Sequence, residues 1–336
     1  MLAVLKKIYW QMSAGQGIPG EYLPDYLFLM QQYWMTFGRL QLFVRPRTFN
    51  EMLYNKLLYT RDPRMQIATE KVAARDYVAA KIGSEYLVPL LHVGTDAATI
   101  PFRDLPDRFV IKASHGSGFV RIVADKSRID EDAIRAEVAG WLALDWYRLR
   151  REWAYKGIAR HVMVEALLIE NGGLPTNYRL FAFNGRVRMI AVMAPAPLQP
   201  VTQPRDGGGV ASFLDETWRR MAVRMRRLPP DVVPAKPDNL AEMIGVAERL
   251  AADFAFCRVD LYNIDGRILF SEITQYPAAG MRRWTPPDFD RALGDMWRKG
   301  TPFPERFYYP SGARTGGERQ AAPATGQPVG AADPAL

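Results

Sequence analysis

One cysteine and three histidines in 336 residues leave little material for sulfur or imidazole chemistry. A lone thiol, Cys257, cannot close an intrachain disulfide, and no CxxC or Cys/His zinc pattern can form. His92, His115 and His161 are too scattered for a helical histidine metal site. No apolar run reaches the roughly 18 residues that suggest a bilayer span. The opening MLAVLKKIYWQMSAGQG meets Lys6 and Lys7 after only five apolar or small residues, too few for the apolar core of a signal peptide. The expected compartment is the cytoplasm, with peripheral association at the inner face of the membrane left open. GxGxxG is absent, and the loop HGSG (115–118) lacks the Gly-Lys-Ser/Thr ending of a phosphate-binding P-loop. Neither common nucleotide fold is indicated on residue identity.

What is present is an ordinary globular balance, 48% apolar and 24% charged, which excludes a disordered, collagenous or disulfide-stapled chain. Lys plus Arg number 44 against 36 acidic residues, a net charge of +8. That excess suits an anionic partner such as nucleotide phosphates, an acidic glycan or a membrane surface, and does not choose among them. Part of it is local, since 215–227 (DETWRRMAVRMRR) holds five Arg against Asp215 and Glu216. No nucleic-acid-binding motif accompanies it.

The element order is helical first, then hairpins. Residues 1–50 read as a helical extension, and 51–83 as helical, with EKVAARDYVAAKIG running from Glu70 to a C-cap at Gly83. A strand is expected in 86–94. FVIKA and FVRIVA flank HGSG as hairpin arms. A helix is expected over 130–147, with Ile134, Val138, Trp141 and Leu142 inward, and a strand over 161–170. Further hairpins turn at Asn184–Gly185 and Asp265–Gly266, with a helix at about 238–254 between them. The Pro/Gly-rich stretch 194–210 reads as a flexible loop, and 311–336, without an aromatic, as a disordered tail. The class is α+β, with antiparallel pairs beside helices.

Two places carry chemistry. Lys112 sits in an apolar strand immediately before the glycine loop. It either lies on a solvent face beside a plain turn, or needs an anionic partner, with backbone N–H groups of the loop aimed at phosphate oxygens. In the last hairpin, a turn at Asp265–Gly266 makes positions whose numbers sum to about 531–532 face each other, so Asp260 lies opposite Glu272 or nearly so. Thr274 shares a strand face with Glu272. Opposed carboxylates repel unless a cation joins them. Magnesium is the natural candidate; the alternatives are a solvated face or pairing with Arg258 and Arg267.

Five blocks in order, TFNEMLYNKLLYTRDPRMQIATEKVAARDYV (48–78), FVIKASHGSG (109–118), REWAYKGI (151–158), NYRLFAFNGRVRMI (177–190) and RVDLYNIDGRILFSEIT (258–274), resemble the ATP-grasp superfamily. More narrowly they are similar to its teichuronopeptide-biosynthesis (TupA-like) type, over roughly residues 45–300. The resemblance implies two α+β subdomains gripping ATP between antiparallel sheets. The implied division is a helical extension (1–50), a pre-ATP-grasp region (51–107), a small subdomain (108–168), a large subdomain (169–310) and the tail.

Residue by residue, it implies that Lys71 and Lys112 reach the nucleotide phosphates, with Ser114, His115, Gly116, Ser117 and Gly118 closing over them. Glu165 opens the adenine hinge, Ala166, Leu167 and Leu168 read the adenine edge, and Glu170 meets the ribose. Arg179 faces phosphate or the transferring group, and Asp260, Glu272 and Thr274 hold magnesium. Glu70 stands where Asp is common, and Thr274 where Asn is usual. The implied activity is an ATP-dependent carboxylate–amine ligase of cell-envelope or capsular polysaccharide assembly, joining an amino acid or amine to a uronic acid or acidic glycan. The 194–210 loop is then a candidate lid, and the arginines of 219–227 and of RLRREW (148–153) candidate contacts for an acidic substrate. Alternatives are a glycan phosphotransferase using the same site, or a silent ATP-binding scaffold, for which Thr274 is the sequence hint.

Overall fold

The computed structural model describes residues 23–193, 201–202, 211–225 and 234–310. The expected lid, apart from 201–202, and the expected tail lie outside these residues, as do 1–22.

Four helices open the described chain. α1 (Asp25–Phe37) stops at Gly38, whose left-handed backbone returns its N–H to Trp34 O. α2 (Phe49–Tyr59) starts on a reciprocal capping box between Thr48 and Glu51. α3 (Pro63–Thr69) has Pro at its first position, where a missing N–H costs nothing. α4 (Ala73–Ile82) ends at Gly83 as expected, yet does not begin at Glu70. Glu70 ends α3 in extended conformation, and its carboxylate accepts the Ala73 N–H at 2.6 Å. A carboxylate at a helix start is favoured by the helix dipole, so Glu70 separates two helices rather than joining them.

The first sheet has the order β1-β4-β2-β3-β7, all antiparallel, from β1 (Leu90–Gly94), β2 (Phe109–Ala113), β3 (Val120–Val123), β4 (Val162–Ala166) and β7 (Val201–Thr202). Alternation sends Phe109, Ile111, Ala113, Val162 and Val164 into a core beneath α5 (Glu131–Ala143), through Ile134, Val138 and Trp141. Lys112, Met163 and Glu165 therefore project from the opposite face. The expected helix over 130–147 is interrupted. Leu144 is extended, and the Asp145 side chain caps a separate short helix, α6 (Trp146–Arg150). The strand expected over 161–170 ends at Ala166.

The second sheet has the order β11-β10-β5-β6-β8, again antiparallel, from β5 (Asn177–Phe183), β6 (Arg186–Met193), β8 (Ala211–Leu214), β10 (Phe256–Ile264) and β11 (Arg267–Thr274). Both hairpins turn where expected, with positive φ at Asn184–Gly185 (50° and 75°) and Asp265–Gly266 (51° and 81°). Such turns match strand twist and favour Asn or Asp followed by Gly. One face packs on α7 (Leu240–Ala251) and α1–α4. The other packs on α2 and α8 (Phe289–Lys299) through Phe181, Phe183, Phe256 and Trp297. A small ribbon pairs β9 (Arg224–Met225) with β12 (Trp284–Thr285).

Within the last hairpin the register sums to 531 from Ile264↔Arg267 to Leu261↔Phe270 and to 532 from Asp260↔Glu272 onward. Ser271 is the extra residue of a β-bulge. Without it Glu272 would share a face with Ile268 and Phe270, in the core. The bulge turns Glu272 and Thr274 onto the face of Asp260 and Arg258. Segment 219–225 is not helical: Arg219 pairs with Glu305 and lies over the Tyr308 ring at 4.0 Å, and Arg220 lies over Tyr309 at 4.3 Å. Among the described residues no helix is long and apolar enough to cross a membrane.

Candidate functional site

The two sheets face each other across a cleft. Lys112, Met163 and Glu165 line it from the first sheet, Phe270 to Ile273 from the second, and Lys71, Ala74 and Arg75 from α4 and the residues before it.

Of the two sequence readings of Lys112, the solvent-facing one fails. Its Nζ donates to Glu165 Oε2 at 2.6 Å, and the other carboxylate oxygen accepts from Arg75 Nη1 at 2.9 Å. Only 18% of the lysine side chain and 8% of the glutamate's are exposed. Burial opposes the ammonium charge, but Glu165, with Tyr262 and Glu272 adding to it, outweighs burial and holds the lysine above its ordinary pKa. Lys71 differs. Burial, with Lys112 adding repulsion, lowers its pKa in spite of the Glu272 carboxylate across the cleft. Its Nζ donates to Gly116 O at 2.6 Å and its N–H to Ser114 O at 3.3 Å, so it ties α4 to the glycine loop. Ser114 is itself fixed, since its N–H donates to His161 O and its Oγ accepts from His161 N–H.

On the second sheet Asp260 is paired across the sheet with both Glu272 and Arg179. Arg258 donates to both Asp260 oxygens at 2.6 Å and to Glu272 Oε1 at 3.0 Å. Thr274 Oγ1 donates to the same Glu272 oxygen at 3.2 Å, and Arg179 Nε lies 3.6 Å from Asp260 Oδ2. Burial pushes Asp260 up to about 6 even against Arg258. Glu272 is held below its ordinary value, because Arg258, Lys71 and Arg179 outweigh its burial. The opposed carboxylates are thus joined by a cation, and here that cation is Arg258. The set also fits a hard divalent ion, being two carboxylates and a hydroxyl on one face with neither nitrogen nor sulfur. Among the described residues no cluster of three or more His, Cys, Asp or Glu could hold a metal alone. Further ligands would have to be substrate oxygens and water.

The remaining candidates divide. Gly116 meets Lys71 through its carbonyl, and Ser117 and Gly118 complete the turn. His115 is turned away: it is 2% exposed, with Nε2 at 3.0 Å from Trp141 O, so the imidazole packs on α5 instead of facing the cleft. Ala166 N–H is used by Pro89 O, and Leu167 and Leu168 follow the end of β4. The Glu170 carboxylate accepts from Thr176 N–H and Oγ1, closing a turn. Arg151 is buried against Asp25, Phe28 and Tyr147, and Arg61 lies over Trp153.

Arg75 was not singled out from sequence, and Arg258 only as an alternative partner of the carboxylates. Arg258 is two residues before Asp260 on one strand, so strand spacing puts it on the same face.

The family model described as TupA-like ATPgrasp matches residues 51–298. No curated protein sequence matches the chain. Among solved structures, D-cycloserine synthetase DcsG is 17% identical over 84% of this chain and 96% of its own (TM-score 0.42). An L-amino acid ligase from Bacillus licheniformis is 14% identical over 85% and 66% (TM-score 0.47). D-alanine–D-alanine ligase from Bacillus anthracis is 17% identical over 69% and 64% (TM-score 0.40). The chain spans 53% to 64% of the length of the first structures it matches.

Proposed function

The chain belongs to the TupA-like ATP-grasp family, and from that premise we propose that it is an ATP-dependent carboxylate–amine ligase, forming an amide with release of ADP and phosphate. The observation that carries the reading is the cleft itself, where Lys71, Lys112 and Arg75 from one side meet Glu272 from the other, with Arg258, Asp260 and Arg179 tied behind Glu272 by ion pairs. Cations that converge around a paired carboxylate site suit a triphosphate with its metal.

A carboxylate is a poor electrophile. Its oxygen first attacks the γ-phosphorus, ADP leaves, and an acyl phosphate results. The amine then attacks the carbonyl carbon, phosphate departs with the bonding pair, and the amine gives up a proton. Lys71, Lys112 and Arg179 offset charge on the nucleotide and on the transferring phosphoryl group. Lys71 needs only to exchange Gly116 O for a phosphate oxygen, and Lys112 exchanges part of its bond to Glu165. Asp260, Glu272 and Thr274 would hold magnesium, which when bound neutralises phosphate charge. Arg258 keeps the carboxylates together before it arrives. No serine or cysteine nucleophile is needed, in keeping with a buried Cys257.

For the carboxylate partner we favour an acidic acceptor of the uronic-acid or acidic-glycan kind, from the +8 charge and the type of family. Action beside a membrane surface rests on the same charge. The test is phosphate release from ATP and magnesium, with amino acids and uronic-acid oligomers supplied together. Release should require both and fall at least 100-fold in Asp260→Asn and Glu272→Gln. Phosphate left on the glycan would favour a phosphotransferase, and nucleotide binding without turnover a silent scaffold.

A further inference from the structure

The loop between α1 and α2 holds apolar side chains out in water at a fixed position. Leu40, Leu42 and Val44 are 67%, 62% and 68% exposed, while Phe43 among them is buried. Single exposed aliphatics are ordinary, but a row of them marks a surface with a partner. The loop is not loose. Phe43 stacks on Tyr54 at 4.9 Å and meets Tyr33 edge to face at 5.1 Å. Asn55 Nδ2 donates to Phe43 O at 2.7 Å, and Tyr26 Oη donates to Leu42 O at 3.1 Å. Gly38 closes α1 and Leu42 reaches Tyr26 near its start, so the loop doubles back along the helix. Phe43 takes a positive φ of 55°, which a residue with a Cβ adopts only where its surroundings hold it. The buried ring is that hold, and its neighbours on either side are left in solvent.

Arginines flank this ridge. Arg39, Arg45 and Arg47 are exposed, and among the described residues no acidic side chain pairs with Arg45 or Arg47. The carboxylates nearby are engaged elsewhere. Glu51 accepts from Arg39 and from the N–H groups of Arg47 and Thr48, and Asp25 meets Tyr147 and Arg151. A second copy of this face would set arginines against arginines. Residues 1–22 would bring Lys6 and Lys7, with Glu21 as their one acid. A bilayer with anionic headgroups complements both features, since acyl chains take the aliphatic tips and lipid phosphates the guanidinium groups.

We propose that loop 38–47 is the surface by which this protein docks on an anionic membrane. Leu40, Leu42 and Val44 enter the headgroup layer, and Arg45 and Arg47 meet lipid phosphates. The inference rests on the membrane-side part of the reading above and is independent of the ligase chemistry.

The experiment is co-sedimentation of the full chain with vesicles of phosphatidylcholine alone or with about one third phosphatidylglycerol, at about 0.15 M salt. The native chain should bind the anionic vesicles at least about tenfold more tightly than the neutral ones. Replacing the three apolar tips together (Leu40→Gln, Leu42→Gln, Val44→Thr) should weaken that binding about tenfold, and so should Arg45→Gln with Arg47→Gln. Melting temperatures should stay at the native value, because all five side chains are exposed. Since Cys257 is buried, Leu42→Cys offers one accessible thiol to an environment-sensitive dye, whose emission should shift to the blue on anionic vesicles alone. A native chain that binds neither vesicle removes the membrane reading and the surface together. Anionic binding that survives in either variant overturns the surface and leaves the membrane reading standing. Dye emission that is already blue-shifted without vesicles does the same, because another part of the chain or a second copy then covers the ridge.

Discussion

Glu165→Gln tests the electrostatic design of the cleft. In the native chain one buried carboxylate is shared by two cations, Lys112 at 2.6 Å and Arg75 at 2.9 Å. The amide keeps the shape and removes the charge, so both cations lose their counterion in a site where their side chains are 18% and 15% exposed. Removing one partner of a buried pair costs about 3–5 kcal/mol, and the residual exposure puts this case near about 3 kcal/mol. For the 265 described residues, at an unfolding entropy of about 2.1 cal/mol/K each, that is a fall in Tm of about 5 °C.

ATP should reverse much of this, because phosphate oxygens supply the missing negative charge. Phosphate oxygens that restore about half of that loss tighten the variant's nucleotide affinity by the same ~1.5 kcal/mol, so at one saturating concentration the variant gains that much more stability than the native chain. In the Gln variant the nucleotide should raise Tm by about 3 °C more than it raises the native protein's, on the same entropy. The assay is thermal unfolding followed by circular dichroism, with and without the magnesium–nucleotide complex. A variant that melts within 1 °C of the native chain, or equal ATP-dependent shifts in the two, would refute the reasoning.

Gly294 packs its α8 backbone against Arg47 and Thr48 at the start of α2, where a Cβ would collide with main-chain atoms. Gly294→Ala should cost about 3 kcal/mol by overpacking and regain about 1 kcal/mol of helix propensity, a net loss of about 2 kcal/mol by urea denaturation; no loss would mean the two helices separate freely. Lys56 is buried with its Nζ on Phe256 O and on Gln275 Oε1, both at 2.7 Å, and burial lowers its pKa to about 7. The unfolded lysine keeps its proton to much higher pH, so the unfolded state binds more protons above pH 7 and the lysine's contribution to stability rises with pH. Between pH 7 and 8.5, native stability should gain about 1 kcal/mol per pH unit relative to Lys56→Met, approaching about 1.4 at the upper end; parallel profiles would show that Lys56 stays charged in the fold.

Much of this protein is legible in one dimension because its signals are local. Asn184–Gly185 and Asp265–Gly266 mark their hairpins through backbone preference alone, and the second turn places Asp260 opposite Glu272 to within one position. Five ordered blocks are enough to place the family. The misreadings are also local in origin. Glu70 and Asp145 are tolerable inside a helix by propensity, but each side chain captures a backbone N–H and starts a new one.

What folding alone decided is non-local. Lys112 could face solvent or a partner until β2 and β4 paired and Glu165 arrived from 53 residues away. The carboxylate pair could be solvated or cation-bound until Arg258 was seen to grip both members. Strand alternation by itself would bury Glu272 among Ile268 and Phe270, and only the bulge at Ser271 brings it to the cleft. Burying that carboxylate in an apolar core would cost more than one broken ladder position.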